Sequence, residues 1–343
     1  MFATAVLPLT RFDGEPCLTV IAKGTFVFDQ GKVEPAAEQV PIAYGDSLLD
    51  EQDGGGVFYE SDIVVFKACT DIVLQAQAYA PEGRPAEWVK VGLKVGPVEK
   101  QLLVFGDRFW NHAGVLSRKY TKTRTRPFVH RPIIYQDAFG GVDPTTGQYC
   151  RNNPSGKGFF SKKTRQKAAG MPLPCIEDPG QLIRTIEDHP TPVGLGFYHR
   201  AWQPRAAYTG SYDETWRKTR SPLPPEDFDV RYYNGAHPDL QVKGYLRGDE
   251  PVELHNLTPE GEVAFALPGI IPKCRVERTK AEKHKKEFVE MHLDTIFMEP
   301  DKKCFCLVWR GNTLLKDLSA EEIGQVDIGC KEEEDNKCPD KEE

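Results

Sequence analysis

The alternation of apolar and polar positions is strongest over residues 88–105. Trp88, Lys90, Gly92 and Lys94 interleave with Val89, Val91, Leu93 and Val95; Gly96-Pro97 follows, and residues 98–105 continue in apolar character. A two-residue period puts each set on its own face, so this stretch predicts a β-hairpin with one apolar and one polar side. Residues 18–28 are rich in β-branched and aromatic side chains and run into Asp29-Gln30-Gly31, a strand entering a hairpin turn. Further strands are predicted at 63–66, 72–79, 242–246, 252–257 and 263–267. Residues 287–298 and 304–309 form a hairpin across Pro300-Asp301-Lys302. Gly54-Gly55-Gly56 marks a turn or loop. The dense charges of residues 275–286 predict a short helix or a solvated insertion, and Ser319 with Glu322 has the spacing of a capping box. Long amphipathic helices are scarce. The expected class is therefore mainly β: antiparallel, sandwich-like sheets with long ordered irregular insertions and few short helices.

Composition narrows this picture. A chain of 343 residues is large enough to bury a core without metal or disulfide staples. We expect one elaborated β domain over residues 1–330, with a possible division into sub-lobes 1–116 and 132–330 joined by the basic segment 117–131. Residues 331–343 are acidic, lack a core-forming pattern and read as a disordered tail. The net charge of −7 weighs against nucleic acid as a partner. Nine cysteines without regular spacing suit a reducing compartment better than a secreted framework. No run approaches the length needed to span a bilayer, and residues 1–9 do not resemble a signal peptide. The expectation is a cytoplasmic protein without membrane insertion.

Residues 196–241 organise the chain. Phe197, Tyr198, Trp202, Tyr208, Tyr212, Trp216, Phe228, Tyr232 and Tyr233 are spaced by charges and prolines, with neither a helical nor a two-residue period. Such a segment is ordered scaffolding or a recognition surface. Its aromatic residues could stack on sugars or anchor a protein partner, or could instead pack the insertion onto a sheet.

Other motifs favour plain readings. Gly45-Asp46-Ser47-Leu48 spells the entry motif of the GDSL hydrolases, but no His stands three residues after an Asp to activate Ser47, so a turn is preferred. Gly156-Lys157-Gly158 lacks the remaining positions of a phosphate loop, with Arg151 where a Gly is needed. Cys304 and Cys306 share a face of one strand, and Cys330 and Cys338 lie in or near the tail; none has zinc-site spacing, and His199, His237 and His255 form no ligand set. Arg118, Lys119, Lys122, Arg124, Arg126 and Arg131 read as a solvated connection rather than a nucleic-acid arm. No catalytic residue, cofactor or metal site is expected.

A series of ordered pieces resembles a bacterial family long labelled only as a domain of unknown function. They are Lys23-Gly24-Thr25-Phe26, Ser61-Asp62-Ile63-Val64 with Phe66-Lys67 and Thr70-Asp71, Gly106-Asp107-Arg108 with Trp110, and Ala138-Phe139-Gly140-Gly141. Asn153-Pro154 with Gly156-Lys157-Gly158-Phe159, Gly196-Phe197, Trp202 with Arg205, and Tyr212-Asp213 with Trp216 follow. Pro224 with Asp227-Phe228-Asp229, Asn234, Leu293-Asp294-Thr295 and Trp309-Arg310 complete the series. Val65 and Ala68 depart from it where prolines are expected. The family's genes lie in type VI secretion clusters beside those for the spike and its PAAR tip. The resemblance implies a non-enzymatic effector adaptor or chaperone. Its partner would be a secreted toxin, held by its PAAR-linked or N-terminal region, with the spike protein as a second candidate. On this reading Trp202, Arg205, Tyr208, Tyr212, Asp213 and Trp216 are the expected effector-binding residues. A carbohydrate-binding module and a hydrolase using Ser47 are the alternatives.

Overall fold

A computed structural model describes residues 2–49, 56–114, 119–280, 283–315 and 323–329. Strand accounts for 40% of the chain and helix for 10%, so the mainly β expectation holds. A six-stranded sheet has Ala3–Thr10, Pro16–Asp29, Cys304–Leu314, His292–Glu299 and Asp71–Leu74 side by side in that order, with Lys32–Pro35 pairing the far end of 16–29. All of its pairs are antiparallel except that of 71–74 with 292–299. A five-stranded antiparallel sheet orders Ile176–Glu177, Val98–Phe105, Trp88–Val95, Pro251–His255 and Glu262–Ala266.

The strand 16–29 shows why the two sheets meet. Nearly every residue along it is buried, as expected of a central strand covered on both faces. Phe26 and Phe28 point to one side and join Phe265 of the second sheet: the Phe28 and Phe265 rings stack at 4.6 Å, and Phe265 stacks on Phe305 at 5.4 Å. On the other face Ile21 packs with Ala5, Ile42 and Val308, under the irregular segment that follows residue 35. A third, three-stranded sheet orders Lys283–Val289, Lys273–Lys280 and Ile323–Gly329, and adds Cys274, Val276 and Val289 to the main core.

The hairpins at 88–105 and 18–35 and the strands near 252–257 and 263–267 match the sequence pattern. The hairpin expected of 287–298 with 304–309 forms from His292 onward, whereas residues 287–289 pair with 273–280 in the third sheet. Four further expectations change. Residues 63–66 form no strand: Arg310 donates to the carbonyls of Asp62 and Val64, and Asn312 to that of Val65, so side chains take the place of a ladder. Residues 242–246 form no strand either, because the chain curls around Thr70. Val242 N–H donates to the Thr70 carbonyl, Thr70 N–H to the Gly244 carbonyl, and Leu246 N–H to Thr70 Oγ1. The strand expected at 72–79 is split, since Asp71–Leu74 joins the large sheet while Gln77–Tyr79 pairs with His130–Pro132. Residues 275–280 and 283–286 lie in two paired antiparallel strands, neither a helix nor a loose insertion; 281 and 282 lie outside the described residues. Gly54, Gly55, Ser319, Glu322 and residues 331–343 lie outside the described residues.

Candidate functional site

The large sheet and its covering loops are joined by buried ion pairs. Lys23 Nζ lies 3.1 Å from Asp62, which also accepts the Tyr59 hydroxyl at 2.7 Å and the Ala43 N–H at 2.8 Å. One strand over, Arg310 meets Asp294 at 2.6 Å. Lys67 donates to Asp71 and to Thr295, each at 2.8 Å, and Asp71 accepts from Asn234 and from Gly235 N–H. Arg108 pairs with Glu177 and stacks over Phe105. Each of these ionic side chains is buried and has a protein partner, so they fix irregular backbone.

The aromatic segment is irregular, as expected: short 3₁₀ turns and the α-helix Glu214–Thr219. It divides into an inner and an outer half. Trp202 is buried, with its ring edge-to-face against Tyr135 and Tyr198, each at 5.4 Å. Arg205 is also buried, bridging Glu60 and the carbonyls of Tyr198 and Tyr232. Of the six expected binding residues, these two are therefore core residues. Tyr208 is half-buried, with the Arg231 guanidinium 4.5 Å from its ring centre.

Tyr212, Asp213 and Trp216 stand on the outer half. Asp227 closes its base, accepting from the Ser211 N–H at 2.9 Å and hydroxyl at 2.8 Å. Asp213 is the N-cap of helix 214–219 and accepts the Trp216 N–H at 2.8 Å, so its carboxylate serves the helix. Trp216 Nε1 donates to the Leu223 carbonyl at 2.8 Å, and Tyr212, 55% exposed, meets the Trp216 ring edge-to-face at 4.6 Å. Arg220 ties this half to the opening hairpin turn by donating to the Phe12 carbonyl at 2.9 Å. The result is an aromatic pair, Tyr212 exposed and Trp216 half-buried, on a backbone pinned at both ends.

Glu60 and Phe12, which hold the segment from a distance, carry no local sequence signal. Glu60 is 145 positions from Arg205.

The remaining motifs sit as follows. Ser47 is exposed, in the two-residue strand Ser47–Leu48, while Asp46 accepts from Arg200 at 2.9 and 2.8 Å and from the Ser61 N–H. Lys157–Gly158 pairs in parallel with Phe139–Gly140, and Lys157 forms an ion pair with Asp137. Cys306 is buried and Cys304 half-buried, with burial pushing the Cys304 thiol up to about 11. Among the described residues no group of three or more His, Cys, Asp or Glu is placed to hold a metal ion, and no helix is long and apolar enough to cross a membrane. In the basic segment, Arg124 meets Glu87 and Arg131 bridges Asp107 and Asp137.

This is a mainly β fold whose irregular covering is held by buried charges. The chain belongs to the bacterial family described as an uncharacterized protein conserved in bacteria (DUF2169), which it matches over residues 13–310. No curated protein and no solved structure matches it.

Proposed function

We propose that this protein is a cytoplasmic, non-enzymatic adaptor or chaperone that binds a type VI secretion effector and assists its loading onto the PAAR-tipped spike. The observation that carries this reading is the Tyr212–Trp216 pair, presented on a pinned insertion while the neighbouring Trp202 and Arg205 are spent on the core. Large aromatics on a pre-ordered backbone are what a protein hot spot uses, because little entropy is lost on binding. The adaptor would hold the effector's PAAR-linked or N-terminal region, and mass action would stabilise that loading-competent form. No turnover is required.

The test is co-expression with a toxin encoded beside the gene, followed by affinity measurement. Retention of the toxin by the unmodified chain is expected, with at least about tenfold weaker binding by Tyr212→Ala/Trp216→Ala. A folded double variant with full affinity would move the contact surface elsewhere. The exposed Tyr212 ring is also a face on which a sugar could stack. Binding of a cell-wall glycan, without any toxin retained, would replace the adaptor reading with a carbohydrate-binding one.

A further inference from the structure

A cavity of about 350 Å³ lies beside the strands 292–299 and 304–314, a volume in the range of small-molecule sites. Phe66-Lys67, Asp294 and Arg310 stand in three separate pieces of the ordered series in the sequence, and all of them line it. Half-buried Arg11, from the turn between 3–10 and 16–29, joins them. The strand pairing explains part of the meeting. His292 pairs with Arg310 across the strands, and a shift in register after Leu293 leaves Asp294 without a cross-strand partner, so its carboxylate takes the Arg310 Nε–H. None of the lining residues adjoins an undescribed one.

The hydrogen bonds around this cavity leave a specific demand. Arg310 is 3% exposed; its Nη1 donates to the carbonyls of Asp62 and Val64, whereas its Nη2 makes no hydrogen bond among the described residues. Arg11 meets Asp13 through Nη2, and its Nε–H is buried without a partner. The acidic neighbour Asp294 is already engaged, accepting from both Arg310 and Thr295, and Lys67 is engaged with Asp71 and Thr295. The unmet groups are thus guanidinium donors, and a buried donor left unpaired calls for an acceptor. The planar fork of a guanidinium is matched best by a carboxylate. Glu290 stands on the exposed rim, where water screens its repulsion of an anion. The Phe66 ring and the Tyr245 and His292 rings, which stack at 4.4 Å, add apolar lining.

We infer that this cavity binds an organic carboxylate. Arg310 Nη2 and Arg11 Nε–H hold the carboxyl group, and Phe66 and Tyr245 take the apolar body. The cavity is large enough for a ring as well as the acid group, so a bare inorganic anion would leave most of it unfilled. A free small acid and the terminal carboxylate of a peptide share this chemistry. The inference goes beyond the adaptor reading and does not need it.

The experiment titrates the full chain calorimetrically with four probes: phenylacetate, phenylacetamide, and the peptide Ala-Ala-Phe with a free or an amidated C-terminus. At least one of the two acids is expected to bind one to one, with its amide at least about tenfold weaker. Binding of phenylacetate without the peptide assigns a small acid, and tighter binding of the free-acid peptide assigns a chain end. Hydrogen exchange should slow over 290–294 and 310–312 on binding. Arg11→Gln should weaken the acid about tenfold with little change in the melting temperature, whereas Glu290→Gln should tighten it about two- to fivefold and leave the amides unchanged. The comparison of acid with amide needs no variant and leaves the fold untouched. Equal affinity for acid and amide, acid binding indifferent to Arg11→Gln, unaltered exchange over those segments, or no binding of any probe at millimolar concentration would each overturn the inference.

Discussion

Arg205 grips Glu60 at two points, Nη1 to Oε1 at 2.6 Å and Nη2 to Oε2 at 2.9 Å, with both side chains buried. The same guanidinium donates to the carbonyls of Tyr198 and Tyr232, so one side chain closes the inner half of the aromatic segment onto the end of the strand Val57–Tyr59. Removing one partner strands the other charge in the interior. Glu60→Gln is expected to cost about 3–5 kcal/mol, seen as a lower urea midpoint. Replacing both residues with apolar ones of similar volume should recover only part of that, because the two carbonyls then lose their donor.

The two tryptophans of the segment should behave oppositely. Trp202→Ala opens a cavity between Tyr135 and Tyr198 and is expected to cost about 3–5 kcal/mol of stability. Trp216→Ala gives up one hydrogen bond and a half-buried ring contact, about 1–2 kcal/mol, and should show its main effect in partner binding. Thermal melts paired with toxin-affinity measurements separate the two.

How much of this was legible in the sequence depended on where each backbone found its partners. The 88–105 hairpin pairs with itself, so its alternation was sufficient. Residues 63–66 and 242–246 are as apolar as true strands, but their hydrogen bonds go to Arg310, Asn312 and Thr70, a choice that no local pattern records. In 273–280 the inward positions Cys274 and Val276 alternate with charges, but the flanking basic residues obscured the period. The aromatic segment was recognisable as ordered. Its division into core and surface was not, since Trp202 and Trp216 are equally aromatic and one of the rings that buries Trp202, that of Tyr135, is distant in sequence.

Gly156 offers a direct check on the Gly-Lys-Gly stretch. A Cβ there would lie 2.6 Å from the Ala138 carbonyl oxygen and 2.9 Å from Gly140 Cα, both backbone atoms with little room to yield. Gly156→Ala is expected to destabilise by about 1–3 kcal/mol in chemical denaturation. Lys157→Met, which removes the ion pair with Asp137, should change stability without altering the retention of inorganic phosphate in equilibrium dialysis.

His237 makes stability depend on pH. Burial, more than any other influence, holds its imidazole below the ordinary range, against the pull of Asp239 and with the help of Lys100. Nδ1 accepts the Asp239 N–H and Nε2 faces the Pro192 carbonyl, the pattern of a neutral ring. Between the lowered folded value and the unfolded value near 6.5, the unfolded chain binds the extra proton. Stability therefore falls as pH drops below about 6.5, by at most about 1.4 kcal/mol per pH unit from this residue. Urea midpoints measured from pH 7 to 5 should decline, and His237→Gln should flatten the decline.

The pairing of 16–29 with 304–314 has a bearing on how the molecule is made. The first of these strands leaves the ribosome early, and its inner neighbour is among the last described segments to emerge. At about 5–20 residues per second the nascent chain carries that apolar ribbon half-covered for tens of seconds. Contacts so distant in sequence also slow refolding. Until residues 304–314 are made, one edge of that ribbon stands without its native neighbour.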